Sequence, residues 1–500
     1  MMSRYPKRVV PSLPHSVYPA DWMKEGEVRA AETLGLTLYH LMERAGRAAF
    51  NRCRQYYPLV RRWLVLCGHG NNGGDGYVVA RLARAAGIHV TLMAVDAGAR
   101  PLPPEASQAR EAWLRAGGEI AVAGPALPQE AGLIIDGLLG IGLKSAPRAP
   151  YDTLIEAINR HPAPVMALDI PSGLDADTGY AAGSVVRATH TQTFIGLKPG
   201  HLTGQARDWV GCLHCDALGL ETWLAGEPVP MSRWDRSDVS RWLSARRPCS
   251  HKGENGRLLL IGGDHGMAGA IRMAAEASLR SGAGLVRVLT HNEHIGPLLT
   301  ARPELMAQEL TATTLRASLE WADVIVIGPG LGQDVWGQKA LELTRQSNKM
   351  ALWDADALNL LAQKPDVRQN RILTPHPGEA ARLLKSSVAQ VERDRPAAVR
   401  ELQRRYGGVV VLKGAGTLIA GEDGISVADV GNPGMGSGGM GDVLSGIIGG
   451  LLAQKLPAYG AACAGVVVHG AAADRVAEKN GERGMIATDL LPEISLLVNP

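Results

Sequence analysis

The stretch GNPGMGSGGMGDVLSGIIGG, residues 431–450, runs from a glycine-rich segment directly into an apolar one. Six of the eleven residues from Gly431 to Gly441 are glycine. Glycines let successive backbone N–H groups converge without interference from a Cβ atom, and the N-terminus of a helix adds partial positive charge. The stretch therefore predicts an anion site in front of a buried helix, with a phosphorylated ligand as its occupant.

Asp442 is the unexpected residue in this anion site. A phosphate repels a neighbouring carboxylate, so the position favours a chemical role for Asp442, such as taking the proton of an attacking hydroxyl. The loop alone leaves a second interpretation open, a flexible loop whose acidic residue stabilises the helix dipole, because Asp is common in a first helical turn.

Length and composition predict a globular chain of two domains, with three domains as the alternative. Five hundred residues exceed what one hydrophobic core usually organises, and 46% hydrophobic against 20% charged residues is typical of a large buried fraction. A formal net charge of +3 does not favour a nucleic-acid partner. No apolar run suits an export signal, and residues 443–453 and 461–473 fall short of the ~20 residues that cross a bilayer. Six cysteines imply no disulfide framework, so we expect a cytoplasmic protein.

Two successive alternations of strand and helix patterns predict an α/β fold. In the first alternation, two strands end in Asp136 and Asp169, and turns follow them. Ligands of open α/β sheets bind beyond the carboxyl ends of the strands, so we expect both carboxylates to point at one crevice. A second alternation begins at residue 257, and residues 220–236, which contain two prolines, are interpreted as a linker between the two.

A GxGxxG motif at residues 68–73 fits the dinucleotide-binding fingerprint, because it follows a strand and opens a helix, and Asp96 ends the next strand. Taken alone, the motif predicts an NAD-dependent dehydrogenase. The same turn also holds Asn71, Asn72 and Asp75, which are more polar groups than a pyrophosphate clamp needs. They suggest oxygen ligands or hydrogen bonds to a substrate.

Two further motifs resemble known binding sites, but neither meets the requirements of the site that it resembles. Residues 137–145, GLLGIGLKS, resemble a phosphate loop, but Lys144 does not directly follow the last glycine as a Walker A loop requires. Cys212 and Cys215 look like half a zinc site, but no second CxxC follows, so reduced and partly buried thiols are favoured.

Several long motifs together resemble one enzyme family. The motifs GHGNNGGDGYVVAR, DGLLGIGL, ALDIPSGLDADTG and FIGLKPG resemble the epimerase half of the bifunctional NAD(P)H-hydrate repair enzymes. The motifs IGGDHGMAGAIRMAAEASLRSGAGLV, GPGLG, TPHPGE, LKGAGT and GNPGMGSGGMGDVLSGIIGGLLAQ resemble the dehydratase half. The resemblance covers about residues 21–500. It implies an N-terminal Rossmann-like three-layer sandwich at 1–225 and a C-terminal ribokinase-like α/β domain at 235–500.

The resemblance also implies an activity. The first domain would interconvert the R and S epimers of NADHX and NADPHX, which are nicotinamide nucleotides hydrated at ring carbon 6. The second domain would dehydrate the S epimer with ADP and Mg²⁺, or with ATP in some members, and would yield NADH or NADPH, AMP and phosphate. Small molecules would be the only ligands, without nucleic acid or membrane, and the chain would form a homo-oligomer.

For the first domain, the resemblance implies that Asp169 acts as acid or base on the reacting ring. Potassium would be bound by Asn72, Asp136 and Ser172, and a large hard cation does prefer such oxygen ligands. Taken alone, Asp136 and Asp169 would equally suit helix capping. The implied contacts of the hydrate are Asn71, Asn72, Gly73, Gly74, Asp75, Gly140, Ile141, Gly142, Leu143, Lys144, Ser145, Ala146 and Asp169.

For the second domain, the resemblance implies that Asp442 is the catalytic base. Phosphoryl transfer would turn the hydroxyl of the hydrate into a good leaving group, while the N–H groups of the loop stabilise the transferring charge. The implied contacts of the hydrate are Ala270, Gly330, His376 and Asp442. Those of the nucleotide are Lys413, Gly414, Ala415, Gly416, Thr417 and Gly441. Taken alone, His376 is more often an ordinary hydrogen-bonded histidine, and Lys413 a solvated charge.

Two other functions remain open from the sequence. A ribokinase-type small-molecule kinase with an accessory Rossmann-like domain would use the same Gly-Asp loop, but it would release a phosphorylated metabolite. A nucleotide-sensing interaction protein would bind without turnover, and the many polar residues at strand ends argue against it.

Overall fold

The computed structural model describes residues 13–96, 98, 100–422 and 424–499. The chain divides into two compact units, Met1–Ser232 and Arg233–Pro500. The first twelve residues of the predicted N-terminal domain lie outside the described part. Helices alternate with mostly parallel strands in both units, which confirms the predicted α/β class.

A parallel sheet forms the centre of the first unit. Outside this sheet, β1 (Ser16–Val17) pairs antiparallel with β9 (Met231–Trp234), which spans the unit boundary. The strands of the sheet are β2 (Arg62–Cys67), β3 (His89–Ala94), β4 (Ala121–Val122), β5 (Leu133–Gly137), β6 (Val165–Leu168), β7 (His190–Phe194) and β8 (Cys212–Asp216). The helices are α1 (Ala20–Leu34), α2 (Leu38–Tyr56), α3 (Asn71–Ala85), α4 (Pro104–Arg115), α5 (Tyr151–Arg160), α6 (Ala206–Trp209) and α7 (Glu221–Leu224). Seven strands pair in the order β4-β3-β2-β5-β6-β7-β8.

Alternating side chains of β2 reach two separate cores. Trp63 and Val65 join a core that includes buried residues of α2, α3 and α4, whereas Leu64 and Leu66 join another with buried residues of α5. Helices therefore cover both faces of the sheet, as a fully buried parallel strand requires. The predicted three-layer, Rossmann-like sandwich is confirmed.

A larger sheet organises the second unit. The strands are β10 (Arg257–Ile261), β11 (Leu285–Thr290), β12 (Met306–Glu309), β13 (Val324–Ile327), β14 (Met350–Trp353), β15 (Arg371–Leu373), β16 (Val409–Leu412), β17 (Leu418–Gly421) and β18 (Gly424–Ala428). They follow the order β18-β17-β16-β15-β14-β13-β10-β11-β12. Among these nine described strands, β17 runs in one direction and the other eight run in the opposite direction.

The helices of the second unit are α8 (Val239–Trp242), α9 (Ala268–Arg280), α10 (Asn292–Ala301), α11 (Ala312–Trp321), α12 (Val335–Arg345), α13 (Asp356–Gln363), α14 (Pro377–Leu384), α15 (Val388–Arg393), α16 (Arg395–Tyr406), α17 (Met440–Ala453), α18 (Ala458–Asn480) and α19 (Leu490–Leu497). The apolar segments 443–453 and 461–473 lie in α17 and α18, which are buried as predicted. Every helix among the described residues falls short of the length or the apolar character that a bilayer span requires.

Glycines let α17 approach its neighbours at backbone distance. A Cβ atom on Gly446 would stand 2.1 Å from the carbonyl oxygen of Ala274 in α9, and one on Gly450 would stand 2.2 Å from the hydroxyl of Ser281. Real Cβ atoms do not come this close to another heavy atom. The glycines that the sequence places after Asp442 therefore fix α17 against α9 and against the sheet, and with it the position of Asp442.

Two local predictions differ from the structure. Residues 71–76 were expected in a turn, but α3 already begins at Asn71. Its glycines permit this early start, because a Cβ atom on Gly73 would stand 2.1 Å from the oxygen of Gly68. The predicted linker 220–236 contains α7 and β9. Arg233 of β9 is buried and pairs with Asp429 at 2.9 Å, which orders this segment.

Replacing Gly446 with alanine is expected to lower the free energy of unfolding of the second unit by about 1–3 kcal/mol, because the added methyl overpacks the contact with α9. Urea unfolding of the full chain measures the loss, and hydrogen exchange of α9 and α17 assigns it to this unit. Gly269→Ala is the control, since a Cβ atom there meets nothing within 4 Å. Equal stability of the two variants would contradict the close approach.

Candidate active sites

The first site lies beyond the carboxyl ends of β2, β5 and β6, which are neighbours in the sheet. Asp136 is the penultimate residue of β5, and Asp169 directly follows β6. The first turns of α3 add the polar residues Asn71, Asn72 and Asp75 at the same edge. Strand order thus places these predicted site residues along one crevice.

Asn72, Asp136 and Ser172 share one hydrogen-bond network around Leu139. The Asn72 amide donates to the carbonyl oxygen of Leu139 at 2.9 Å, and the backbone N–H of Leu139 donates to the Ser172 hydroxyl at 2.8 Å. The hydroxyl of Ser172 donates to Oδ1 of Asp136 at 2.6 Å, and its backbone N–H donates to Oδ2 at 2.9 Å. The structure therefore brings together the three residues predicted to bind potassium.

Two features of this network suit a cation. Oδ1 of Asn72 is buried and accepts no hydrogen bond from the described residues. Asp136 is fully buried, and this burial raises the pKa of its carboxyl to about 6 despite the hydrogen bonds from Ser172 that lower it. A cation would offset the desolvation of the carboxylate and would give the orphaned amide oxygen a partner.

The segment 140–146 forms an exposed loop after β5. Its lysine, Lys144, donates to a carboxylate oxygen of Asp177 at 2.8 Å, and 54% of the side chain remains exposed. Gly140 lies against Asn72, because a Cβ atom there would stand 3.3 Å from Cβ of Asn72. The loop that is predicted to contact the hydrate thus begins next to Asn72, a predicted potassium ligand, and extends toward the protein surface.

The residue that sequence reasoning missed in this site is Lys198, from the FIGLKPG motif. Its side chain is 2% exposed, and its ammonium donates to Oδ1 of Asp169, to the hydroxyl of Thr193 at 2.8 Å and to the oxygen of Phe194 at 3.0 Å. Burial alone would raise the pKa of Asp169, but Lys198, together with His201 and Thr193, more than offsets burial and holds that pKa below its ordinary value.

Two further carboxyl groups face this pair. Burial, Asp169 and Glu27 raise the pKa of Asp75 well above its usual range. Burial and Asp169 raise the pKa of Glu27, a residue of α1 that carried no motif signal, to about 7. The crevice therefore contains carboxyl groups of different protonation, which is the arrangement that general acid–base catalysis needs.

The second site also centres on a lysine, which is partly buried. The Lys413 ammonium, directly after β16, lies 2.9 Å from Oδ1 of Asp354 and 3.9 Å from Glu379. The hydroxyl of Ser445 in α17 donates to the other oxygen of Asp354 at 2.7 Å. Asp354, Glu379 and Ser445 were not predicted. Asp354 follows a buried strand as Asp136 and Asp169 do in the first half, a signal that could have identified it.

Asp442 stands in the first turn of α17, as the sequence predicted. Its carboxyl accepts no hydrogen bond from the residues that the structure describes. Burial and the charge of Asp354 raise its pKa to about 7, while Lys413 opposes this rise. Lys413 is close, because a Cβ atom on the preceding Gly441 would stand 3.2 Å from its ammonium nitrogen. A carboxyl that titrates near neutral pH suits a general base.

Ala270 and Gly330, which are both predicted to contact the hydrate, are neighbours. Gly330 adopts a left-handed conformation with φ 58°, and a Cβ atom there would stand 3.2 Å from Cβ of Ala270. His376 caps α14, and its Nδ1 accepts a hydrogen bond from the N–H of Gly378 at 3.0 Å. The backbone N–H of His376 donates to Glu379 at 2.8 Å, which ties His376 to the group around Lys413.

The predicted nucleotide segment, residues 414–417, forms the turn between β16 and β17. Gly414 and Gly416 have φ angles of 139° and 66°, which favour glycine. The Thr417 hydroxyl donates to the oxygen of Gly414 at 3.0 Å and closes the turn. The turn therefore begins directly after Lys413, the lysine that lies close to Asp442.

Two groups of side chains outside these networks have the composition of metal ligands. Cys212 lies opposite His190 in the β7–β8 pair and clusters with His190 and His214, whereas Cys215 points to the other face of β8. Strand residues three apart face opposite sides, so the two cysteines do not form half of one metal site. Both are free, partly buried thiols, as the sequence predicted. The second group is Asp264, His265 and His291.

Comparisons with known proteins agree with the motif resemblance. The family models described as "YjeF-related protein N-terminus" and "NAD(P)H-hydrate dehydratase" match residues 38–200 and 258–496. A bifunctional NAD(P)H-hydrate repair enzyme of Escherichia coli (strain K12) is 62% identical, with 98% of this chain and 95% of that protein covered. One of Vibrio cholerae is 46% identical, with 97% and 99% covered.

Solved structures bear on the second unit. A ribokinase-like superfamily protein of Enterococcus faecalis V583 is 32% identical and superimposes with a TM-score of 0.51, covering 54% of this chain and 96% of that chain. The predicted ribokinase-like fold is confirmed. The kinase and sensor alternatives are disfavoured, because the relatives that match both units are named as repair enzymes.

Removal of the Ser172 hydroxyl tests the network around Asp136. Ser172→Ala is expected to lower the free energy of unfolding of the first unit by about 1–3 kcal/mol, because Asp136 and the N–H of Leu139 lose a buried partner. Thermal and urea unfolding measure the change. Ser107→Ala in α4 is the control, since no described residue is hydrogen-bonded to that hydroxyl, and equal losses would contradict the network.

Proposed function

The chain belongs to the family of bifunctional NAD(P)H-hydrate repair enzymes, and we propose that its two units divide the repair between them. Residues 1–225 epimerise the R and S forms of NADHX and NADPHX. Residues 235–500 dehydrate the S form with ADP and yield NADH or NADPH, AMP and phosphate. The observation that carries the proposal is Asp442, a carboxyl with a pKa of about 7 that starts a glycine-flanked helix beside Lys413.

In the epimerase unit, Asp169 acts on the hydrated ring as acid or base. Its support is the buried Lys198, which keeps a carboxylate ionised at the strand end where a ligand would bind. The hydrate lies between the start of α3, residues 71–75, and the loop 140–146. Both segments border the crevice that contains Asp169.

Potassium in the epimerase unit would be held by Asn72, Asp136 and Ser172. The orphaned oxygen of Asn72 and the buried carboxylate of Asp136 support this assignment. Bound there, the cation would supply positive charge next to the loop that holds the hydrate. It would also link the start of α3 to the ends of β5 and β6.

In the dehydratase unit, Asp442 takes the proton of the C6 hydroxyl as the hydroxyl oxygen attacks the β-phosphoryl group of ADP. AMP leaves with the electron pair of the broken P–O bond. The N–H groups at the start of α17 and the ammonium of Lys413 stabilise the charge on the transferring group. Departure of the resulting phosphate from C6, with loss of a proton from C5, restores the ring double bond.

The ligands of the dehydratase unit fall into two sets along the same edge. Ala270, Gly330 and His376 line the side of the hydrate, and Lys413 with residues 414–417 and Gly441 line the side of the nucleotide, which binds with Mg²⁺. Lys413 supports this order, because its ammonium donates to Asp354 at 2.9 Å and residues 414–417 directly follow it in the chain. Homo-oligomerisation and a cytoplasmic location stay predictions.

Asp442→Asn is expected to lower the rate of dehydration at least about 10²-fold, because a general base contributes about 10²–10⁴-fold. Recovery of the reduced-nicotinamide absorbance, with S-hydrate and ADP supplied to the full chain, measures this loss. Ser386→Ala, on an exposed segment of the same unit, is the control. Normal recovery in Asp442→Asn would contradict the assignment of the base.

The dehydration rate is also expected to depend on pH through Asp442. Its raised pKa, about 7, leaves mostly the neutral acid at pH 6 and mostly the carboxylate at pH 8. Because only the carboxylate accepts a proton, kcat/KM should rise about tenfold across this window. A rate that falls from pH 6 to pH 8 would contradict a basic role for Asp442.

Asp169→Asn is expected to stop epimerisation while the same chain still dehydrates S-hydrate. The amide keeps the size of the side chain but does not accept the proton that a carboxylate accepts. Supplying R-hydrate and S-hydrate separately with ADP measures the two activities. Equal loss of both activities would contradict the division of labour between the units.

A further inference from the structure

The two carboxylate oxygens of Asp169 have different surroundings. Oδ1 accepts hydrogen bonds from the Lys198 ammonium, from the Thr193 hydroxyl at 2.8 Å and from the backbone N–H of Phe194 at 3.3 Å. Oδ2 accepts none from the described residues, although 15% of the side chain is exposed. One oxygen therefore anchors the carboxylate, and the other is left for a ligand in the crevice.

The backbone around Asp169 is held in place as firmly as its side chain. Asp169 has a φ angle of 62°, a left-handed conformation that is costly for a residue with a Cβ atom. The N–H of Lys198 donates to Nδ1 of His201 at 3.1 Å, so the neutral imidazole carries its proton on Nε2, which donates to the oxygen of Asp169 at 2.8 Å. Burial and Lys198 lower the pKa of His201 to about 4, so the ring is neutral at pH 7.

Asp75 is the counterpart of Asp169 in this crevice. Its carboxyl receives no hydrogen bond from the described residues and has no cation as direct partner, whereas Asp169 has both. The helix that carries Asp75, α3, begins at the end of β2 and packs over β5 and β6. Its first turn lies against the end of β5, because a Cβ atom on Gly137 would stand 2.9 Å from the backbone oxygen of Asn72. A partly buried carboxyl without donors, close to a fixed carboxylate, retains its proton.

We propose that Lys198 is a positioning residue that fixes Asp169 as the carboxylate, so that Asp75 is the neutral acid, and that the two form the base and acid of epimerisation. The inference rests on the proposed function of the first unit. It assigns a catalytic role to Asp75, and it gives Lys198 a role that acts through Asp169.

The pair accounts for inversion at C6 without any other reagent. Carbon 6 of the hydrate bears both the hydroxyl and ring nitrogen N1. Oδ2 of Asp169 takes the hydroxyl proton, the C6–N1 bond breaks with its electron pair kept by N1, and Asp75 gives its proton to N1. The resulting aldehyde rotates about the C5–C6 bond. N1 then adds to its other face and returns its proton to Asp75, while the C6 oxygen takes back the proton of Asp169.

Other titratable groups also influence the protonation of the pair. Glu27 raises the pKa of Asp75, and Glu105 acts on Glu27. Lys198 lowers the pKa of both Asp75 and Asp169, and His201 also lowers that of Asp169. The thiols that face the same charges are Cys67 of β2 and Cys215 of β8, and burial raises the pKa of both, so they are neutral. Lys198 is therefore the main cation of the crevice among the groups that the structure describes.

The first test is the pH profile of epimerisation by the full chain, followed by chromatographic separation of the R and S hydrates. In Lys198→Met, the pKa of Asp169 rises, so the acidic limb of kcat/KM should move to higher pH. Lys198→Arg, which restores a cation, should return the limb toward its wild-type position. Lys24→Met, an exposed lysine of α1, is the control. An acidic limb at its wild-type pH in Lys198→Met would overturn the role of Lys198.

The second test concerns Asp75. Asp75→Asn should lower kcat/KM for epimerisation by about 10²–10⁴-fold, because the amide has no acidic proton to give. Infrared spectra at pH 7 should show the carbonyl stretch of one protonated carboxyl in the wild-type chain that Asp75→Asn lacks. Identical spectra, or normal epimerisation by Asp75→Asn, would overturn the inference. The infrared measurement needs no turnover, so it separates failure of this inference from failure of the proposed epimerase activity.

Discussion

A lysine ammonium that balances a carboxylate at the end of a parallel strand is the interaction on which both sites depend. In the first unit Lys198 pairs with Asp169, and in the second Lys413 pairs with Asp354 at 2.9 Å. Each carboxylate directly follows a parallel strand, where several side chains meet at one edge of the sheet. Without the ammonium, burial would favour the neutral acid of Asp169. The lysine thus allows polar groups to lie together at a sheet edge from which packing excludes water.

Each site adds a second carboxyl from the start of a glycine-rich helix. Asp75 follows Gly73 and Gly74 in α3, and Asp442 follows Gly441 in α17. Neither accepts a hydrogen bond from the described residues, and burial raises the pKa of both. The glycines let each helix pack closely against its neighbours. This close packing also places the carboxyl near the lysine of its site. Two unrelated folds therefore reach a similar separation of charge, which one uses for epimerisation and the other for phosphoryl transfer.

Most of the scaffold could be predicted from the sequence, because parallel strands are continuous apolar runs. The second alternation, for example, was predicted to begin at residue 257, and β10 does begin there. The start of α3 was missed because glycine and asparagine are typical of turns, and only the contact of Gly73 with Gly68 shows why a helix fits. Lys198 and Glu27 were missed because their role depends on burial beside Asp169, which no local pattern reveals. Asp442 was recognised from the sequence because a carboxylate in a glycine-rich anion site would repel the bound phosphate.

The central claim, that one chain both epimerises and dehydrates the hydrated cofactor, is tested most directly by product analysis. The full chain is supplied with pure R-hydrate of NADH and with ADP, and NADH, AMP and phosphate are quantified together with any phosphorylated hydrate. Repair predicts one NADH, one AMP and one phosphate for each R-hydrate consumed. A phosphorylated hydrate that accumulates without NADH, or an R-hydrate that is left unchanged, would contradict the account.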